Sequence, residues 1–101
     1  MLLTYPAVFI KEENGYSVIF PDLDYLATCG DDLNEATEMA KDCLAGYIYS
    51  SKQDGEEIVK PSNIEDINLS EVANVCEVDK SNCFVDVLTL DLDKYADEHF
   101  K

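Results

Sequence analysis

Residues 5 to 20, Tyr5-Pro6-Ala7-Val8-Phe9-Ile10-Lys11-Glu12-Glu13-Asn14-Gly15-Tyr16-Ser17-Val18-Ile19-Phe20, decide the fold. Two apolar runs flank Asn14-Gly15, a dipeptide that tolerates the positive φ values of a type I′ turn, and together they predict a β-hairpin. If Glu13 faces Tyr16, then Phe9 stands opposite Phe20, Ile10 opposite Ile19 and Lys11 opposite Val18. Ala7, Phe9, Val18 and Phe20 share one face of this hairpin, while Val8, Ile10 and Ile19 share the other. Both faces therefore need cover.

Working outward, Pro21-Asp22-Leu23-Asp24 breaks the strand, and Tyr25 to Cys29 reads as a third one. Asp32 followed by Glu35 is a helix start of the capping-box kind, and Leu33, Ala36, Ala40, Leu44, Tyr47 and Ile48 recur at helical spacing. The helix predicted from Leu33 is about 18 residues long, ending in the polar cluster before Gly55. Cys83 to Asp91 has apolar residues on both faces and is predicted as an interior strand that returns parallel to the first through a right-handed crossover. The expected fold is α+β, a β-β-β-α-β sheet of order 3-2-1-4 with one helix packed on one face. Residues 3 to 52 and 83 to 92 form its core, 54 to 82 are irregular or hold a short extra element, and 93 to 101 form a tail.

One helix about 10 Å wide cannot cover two faces. A homo-oligomer, dimer or tetramer, is therefore expected to cover Val8, Ile10 and Ile19, with intrachain cover by Ile58, Ile64, Ile67 and Leu69 as the alternative. A chain of 101 residues with 47% hydrophobic and 29% charged content forms one domain with enough apolar matter for a core.

Seven Lys, no Arg and 22 Asp plus Glu leave a formal charge of −15. Such a surface repels phosphate and lacks the guanidinium fork that grips nucleic acid, so direct DNA or RNA binding is disfavoured and a cationic protein partner is expected. Acidity that serves only solubility is the competing reading. Met1-Leu2-Leu3-Thr4-Tyr5-Pro6 has neither a basic leader nor a long apolar run, which predicts a cytoplasmic protein without a membrane segment. Cys29, Cys43, Cys76 and Cys83 form no C-x-x-C pair, so neither zinc nor redox chemistry is expected. Asp22, Asp24, Asp31 and Asp32 flank the third strand, where acids can converge on a divalent metal, but with 22 acids in the chain such clusters arise by chance and Asp31 and Asp32 already belong to the helix start. His99, the single histidine, stands near the C-terminus without a nucleophile at triad spacing. No catalytic residue, cofactor or metal site is predicted.

Tyr5-Pro6-Ala7-Val8-Phe9-Ile10, Gly15-Tyr16, Phe20-Pro21-Asp22-Leu23, Thr28-Cys29-Gly30-Asp31 and Glu35-Ala36 together resemble the HicB antitoxin family. The likeness covers residues 3 to about 50, and Pro61-Ser62 with the strand from Cys83 to Asp91 is similar to the family's later part. The resemblance implies a partial ribonuclease-H-like fold and inhibition in place of catalysis. It also implies a partner: a small basic HicA toxin of double-stranded-RNA-binding fold that cleaves messenger RNA. An acidic protein can occupy the cationic groove of such a toxin by mimicking RNA, and Asp22, Asp24 and Tyr25 are the expected contacts, with Tyr25 as anchor and the aspartates as ion-pair partners. Asp22 within Phe20-Pro21-Asp22 also reads as a structural turn.

Family members commonly carry Pro-Gly where this chain has Asp24-Tyr25, so a different loop is expected here. Many continue into a DNA-binding domain, whereas residues 93 to 101 are too few and too acidic for one, and a short form without DNA binding is expected. Two other readings are a solitary HicB-like binding module without a toxin and a metal-dependent nuclease of ribonuclease-H type.

Overall fold

In the computed structural model, which describes residues 1–100, four strands form one sheet of order β3-β2-β1-β4. They are β1 (Leu2–Glu12), β2 (Gly15–Phe20), β3 (Leu26–Gly30) and β4 (Cys83–Asp91). Three helices accompany them: α1 (Leu33–Gln53), α2 (Leu69–Cys76) and α3 (Leu92–His99). The expected strand order and the helix start at Leu33 are observed, and α1 is 21 residues long.

The hairpin forms in a register two residues away from the expected one. Phe9 pairs with Val18, Val8 with Ile19 and Glu12 with Gly15, so Glu13 and Asn14 make the turn, neither with a positive φ. Gly15 is instead required by close approach, because a Cβ there would lie 2.3 Å from the Gly30 carbonyl oxygen of β3. A slip of two residues preserves the alternation of a strand, so every side chain keeps its predicted face.

At the far end of β3 the Asp32 carboxylate accepts from the Glu35 amide at 2.7 Å, and Glu35 Oε1 accepts from the Asp31 amide at 2.9 Å. Gly30 lets α1 start this close, since a Cβ there would meet the Ala36 nitrogen at 2.3 Å. Ala36, Ala40, Leu44, Ala45 and Ile48 then pack on Ala7, Phe9, Val18 and Phe20. The small alanines bring the helix down onto the large ring side chains of the sheet.

β4 runs antiparallel to β1, from Cys83 opposite Ile10 to Asp91 opposite Leu2, which corrects the parallel crossover. The chain makes two further passes between β3 and β4. After α1 it lies against the start of β1, where the Tyr5 hydroxyl donates to the Val59 carbonyl and Ile58 to Pro61 line Met1 to Tyr5. It then crosses to the other face and returns toward the hairpin end through α2. Crossing is fastened by Asp22, whose Oδ2 accepts from the Ser62 amide and whose Oδ1 accepts from the Ser62 hydroxyl, both at 2.7 Å.

α2 begins as α1 does, with Asn68 Oδ1 accepting from the Glu71 amide at 3.1 Å, and ends on Glu77 in the left-handed conformation. Its Val72 is buried among Val8, Ile10 and Ile19, flanked by Ile67, Leu69, Cys76 and Val78. The second face thus obtains its cover within the chain, from α2 and the residues around it. Ile58 belongs to the opposite face and Ile64 is exposed.

Two further expectations change. β4 is an edge strand, paired on one side only, with Phe84 and Val87 still 40% and 38% exposed. Most of the segment read as a tail is α3, capped by Asp91 and docked on α1 by the Tyr95 hydroxyl, which donates to Asp42 Oδ1 at 2.9 Å. Leu92 is buried and Phe100 packs against Tyr49, which holds the end of the described chain in the core. Lys101, the last residue of the expected tail, lies outside the described residues.

Ile10→Ala, which empties the contact beneath α2, is expected to cost about 2–5 kcal/mol in urea unfolding. Because the cover is intrachain, the midpoint should not move with protein concentration; a concentration-dependent midpoint would assign the cover to a second copy.

Burial, together with the Asp42 carboxylate, pushes the Tyr95 phenol up to about 12. Raising the folded-state value makes this contact fully stabilising below the ordinary phenol range near 10, and the stability is lost as pH rises toward 12. Alkaline unfolding followed by circular dichroism should therefore begin inside that window, and Tyr95→Phe should flatten it.

Candidate partner-binding site

The loop between β2 and β3 carries the three residues expected to meet a partner. Pro21 to Leu23 form a single 3-10 turn that buries Leu23, and Asp24 and Tyr25 follow with φ of 57° and 59°. Two successive left-handed residues reverse the chain tightly enough for β3 to start beside β2. For a β-carbon residue each costs roughly 1–2 kcal/mol, and a bulky tyrosine is an unusual occupant. Glycine would adopt the conformation of Tyr25 freely, whereas proline, with φ fixed at about −65°, could not occupy position 24 as it stands here, so this loop differs from one built on Pro-Gly.

The three side chains do different things. Asp22 is half-buried and bonded twice to Ser62, so the turn reading of Phe20-Pro21-Asp22 describes its local role. Asp24 is exposed. Tyr25 lies half-buried at the margin of the α2-covered cluster, where burial, with Glu71 and the Cys76 thiol nearby, raises its phenol above the ordinary range. The loop therefore presents an exposed carboxylate beside an aromatic ring that is already partly ordered, an arrangement suited to a protein contact.

Asp22 and Asp24 do not meet Asp31 and Asp32. The two pairs stand at opposite ends of β3, five residues apart along an extended strand, and Asp32 is engaged at the α1 cap. Among the described residues no group of three or more His, Cys, Asp or Glu is placed to hold a metal ion. His99 stacks on Tyr95 with ring centroids 4.1 Å apart, on the helix side of the molecule and away from this loop.

Three features of the site escaped the sequence reading. Ser62 is the partner of Asp22, forty residues away, and only the Pro61-Ser62 turn hints at it. Glu71 adds an acid near Tyr25, and its helix was legible in Asn68-x-x-Glu71, the same start signal that located α1. Phe84 and Val87 remain exposed because β4 has no neighbour beyond it. No helix of the described residues is long and apolar enough to cross a membrane.

The chain is similar to known proteins over nearly its whole length. It is 38% identical over 60 residues to antitoxin HicB 2 of Photorhabdus laumondii, a match that takes in 59% of this chain and 43% of that protein. The chain thus spans less than half of this curated relative. A chain of a toxin–antitoxin complex from Streptococcus pneumoniae superposes with a TM-score of 0.81 at 28% identity, covering 94% of this chain and 73% of that one. The N-terminal domain of Burkholderia pseudomallei antitoxin HicB shares the fold, with a TM-score of 0.64 at 17% identity over 88% of this chain and 99% of that one. The family model for the HicB-like antitoxin of bacterial toxin–antitoxin systems matches residues 5–99, and the chain belongs to that family.

Proposed function

We propose that this chain neutralises a small basic toxin of HicA type, an enzyme that cleaves messenger RNA, by placing carboxylates where RNA phosphates would lie. The observation that carries the proposal is the charge: 22 acids against seven lysines and no arginine, in a member of an antitoxin family. Among the described residues no charged side chain is buried, so this excess is displayed at the surface. An enzyme that binds RNA needs a cationic groove, and a surface of opposite sign both speeds encounter with it and fixes orientation. The toxin–antitoxin complex from Streptococcus pneumoniae supports a toxin as the partner, since the likeness extends over 94% of this chain.

Asp24 and Tyr25 make the direct contact in this reading. Asp24 pairs with a lysine or arginine of the toxin, and the Tyr25 ring fills a pocket beside its groove. Asp22 acts mainly by holding the loop to Ser62, while its charge adds to the local field. Strain at Tyr25 supports a functional role, since the partial burial of its ring is obtained at a φ of 59° that glycine would hold without cost. Inhibition requires no catalytic residue, cofactor or metal on this side of the complex.

Co-expression with a HicA-type toxin is the direct test: growth is restored if the proposal holds and stays arrested if it does not. Asp24→Asn keeps a residue that tolerates the left-handed backbone and removes the charge. It should slow association on the order of 2–5-fold at low salt and less at high salt. Tyr25→Gly should leave thermal stability nearly unchanged, because relief of about 1–2 kcal/mol of left-handed strain offsets lost packing. Its binding should weaken by about 2 kcal/mol if Tyr25 is an anchor, measured by titration calorimetry. Unaltered binding in both variants would move the contact elsewhere.

A further inference from the structure

We infer that the outer edge of β4 is a strand-addition site for a cationic, extended segment of the protein partner, an inference that rests on the toxin-binding reading above. The two edges of the sheet differ sharply. β3 is five residues long and packed closely under α1, which protects it. β4 is nine residues long, contains neither proline nor lysine, and exposes Phe84 and Val87. A long edge strand without lysine or proline, and with no strand beyond it, is a template for another strand.

One residue guards this edge. The Val87 amide donates at 2.8 Å to Oδ1 of Asp86, its own neighbour, and not to a strand. Val87 N–H therefore points away from β1, and by the alternation of an antiparallel ladder Val85 and Thr89 present their amides to the same side. The guard is a carboxylate, and that sets its selectivity. Around a two-fold axis near Val87, a second copy would bring two Asp86 carboxylates close together, a like-charge pair that opposes self-pairing. A strand bearing lysine or arginine instead pairs with Asp86 and draws it off the amide, freeing the donor for the ladder. The flanks agree in sign: residues 77 to 93 hold Glu77, Asp79, Asp86, Asp91 and Asp93 against Lys80 alone.

This is recognition by main-chain hydrogen bonds, with Phe84 and Val87 offering apolar contacts on opposite faces of the added strand. Phe84 is preformed for that task, stacked on Phe9 at 5.1 Å with the rings within 7° of parallel.

The probe is a blocked nine-residue peptide alternating Lys with Val and Thr, titrated into the full chain while amide exchange is followed by NMR. Slowed exchange at Val85, Val87 and Thr89 is expected, with binding weakened about tenfold by Asp86→Lys and likewise by Val87→Pro, which removes the outward donor. Protection elsewhere, or equal binding by both variants, overturns the inference. So does a dimer in sedimentation velocity of the chain alone that Val87→Pro abolishes, because the edge then takes a second copy. A separate arm assays a HicA-type toxin. Neutralisation by wild type and equally by Asp86→Lys overturns the edge site and leaves the antitoxin reading standing; no neutralisation by wild type overturns the antitoxin reading itself.

Discussion

β1 is apolar on both sides, and the rest of the chain is arranged around that constraint. Leu3, Tyr5, Ala7 and Phe9 point one way and Val8 and Ile10 the other, and all six are almost completely buried. A sheet whose central strand is dry on both faces must be a middle layer. With α1 on one side, the chain has to carry apolar residues to the other side and come back. Segment 54–82 makes that journey, past Tyr5 and Val59, under the tie between Asp22 and Ser62, and along the second face as α2. The direction of β4 follows from it. A chain that travels the sheet once as α1 and once more as α2 arrives at the hairpin end, and a strand leaving from there runs antiparallel to β1.

The same constraint explains what was legible in the sequence and what was not. Face assignments of the hairpin were legible because alternation depends only on parity, so they survive a register that is displaced by two residues. The register was not, because Asn14-Gly15 carries two messages: Gly15 answers to the carbonyl of Gly30, a contact invisible along the chain. Both helix starts were written in the same code, Asp32 with Glu35 and Asn68 with Glu71, yet α2 is eight residues long and shows too little periodicity to stand out. α3 was obscured by its charge. Four of its eight residues, Leu92–His99, are Asp, Glu or Lys, and only the inward side, with Leu92 and Tyr95, reveals a packed helix. Of the candidate site, the loop was legible from Phe20-Pro21-Asp22, whereas its fastening to Ser62 is a long-range contact that no local pattern encodes.

Charge is sorted as completely as apolarity. No polar or charged residue among the described residues is buried. Among the described residues the ion pairs join Asp91 and Asp93 to the Met1 amino group, and none of these pairs uses a lysine. Most of the negative field therefore stands open to solvent, where salt screens it over about 10 Å. The core is apolar, and the carboxylates that serve the fold do so as hydrogen-bond acceptors, Asp32 and Asp91 at helix starts, Asp22 on Ser62 and Asp42 on Tyr95.

The division of labour follows the geometry of a layered sheet. Faces are taken up by α1, α3 and α2 and supply stability, which leaves rims and edges as the places where the chain can meet a partner without unpacking itself. Two of those places break a local rule: Tyr25 holds a backbone conformation suited to glycine, and β4 leaves a long edge guarded by an acid where a cation would be the usual protection. Both departures are small in energy, a local strain of about 1–2 kcal/mol at Tyr25 and an unpaired strand edge at β4. Each becomes intelligible once a positively charged partner is present, because that partner can cover the tyrosine ring and discharge the aspartate, whereas another copy of this acidic chain repels it.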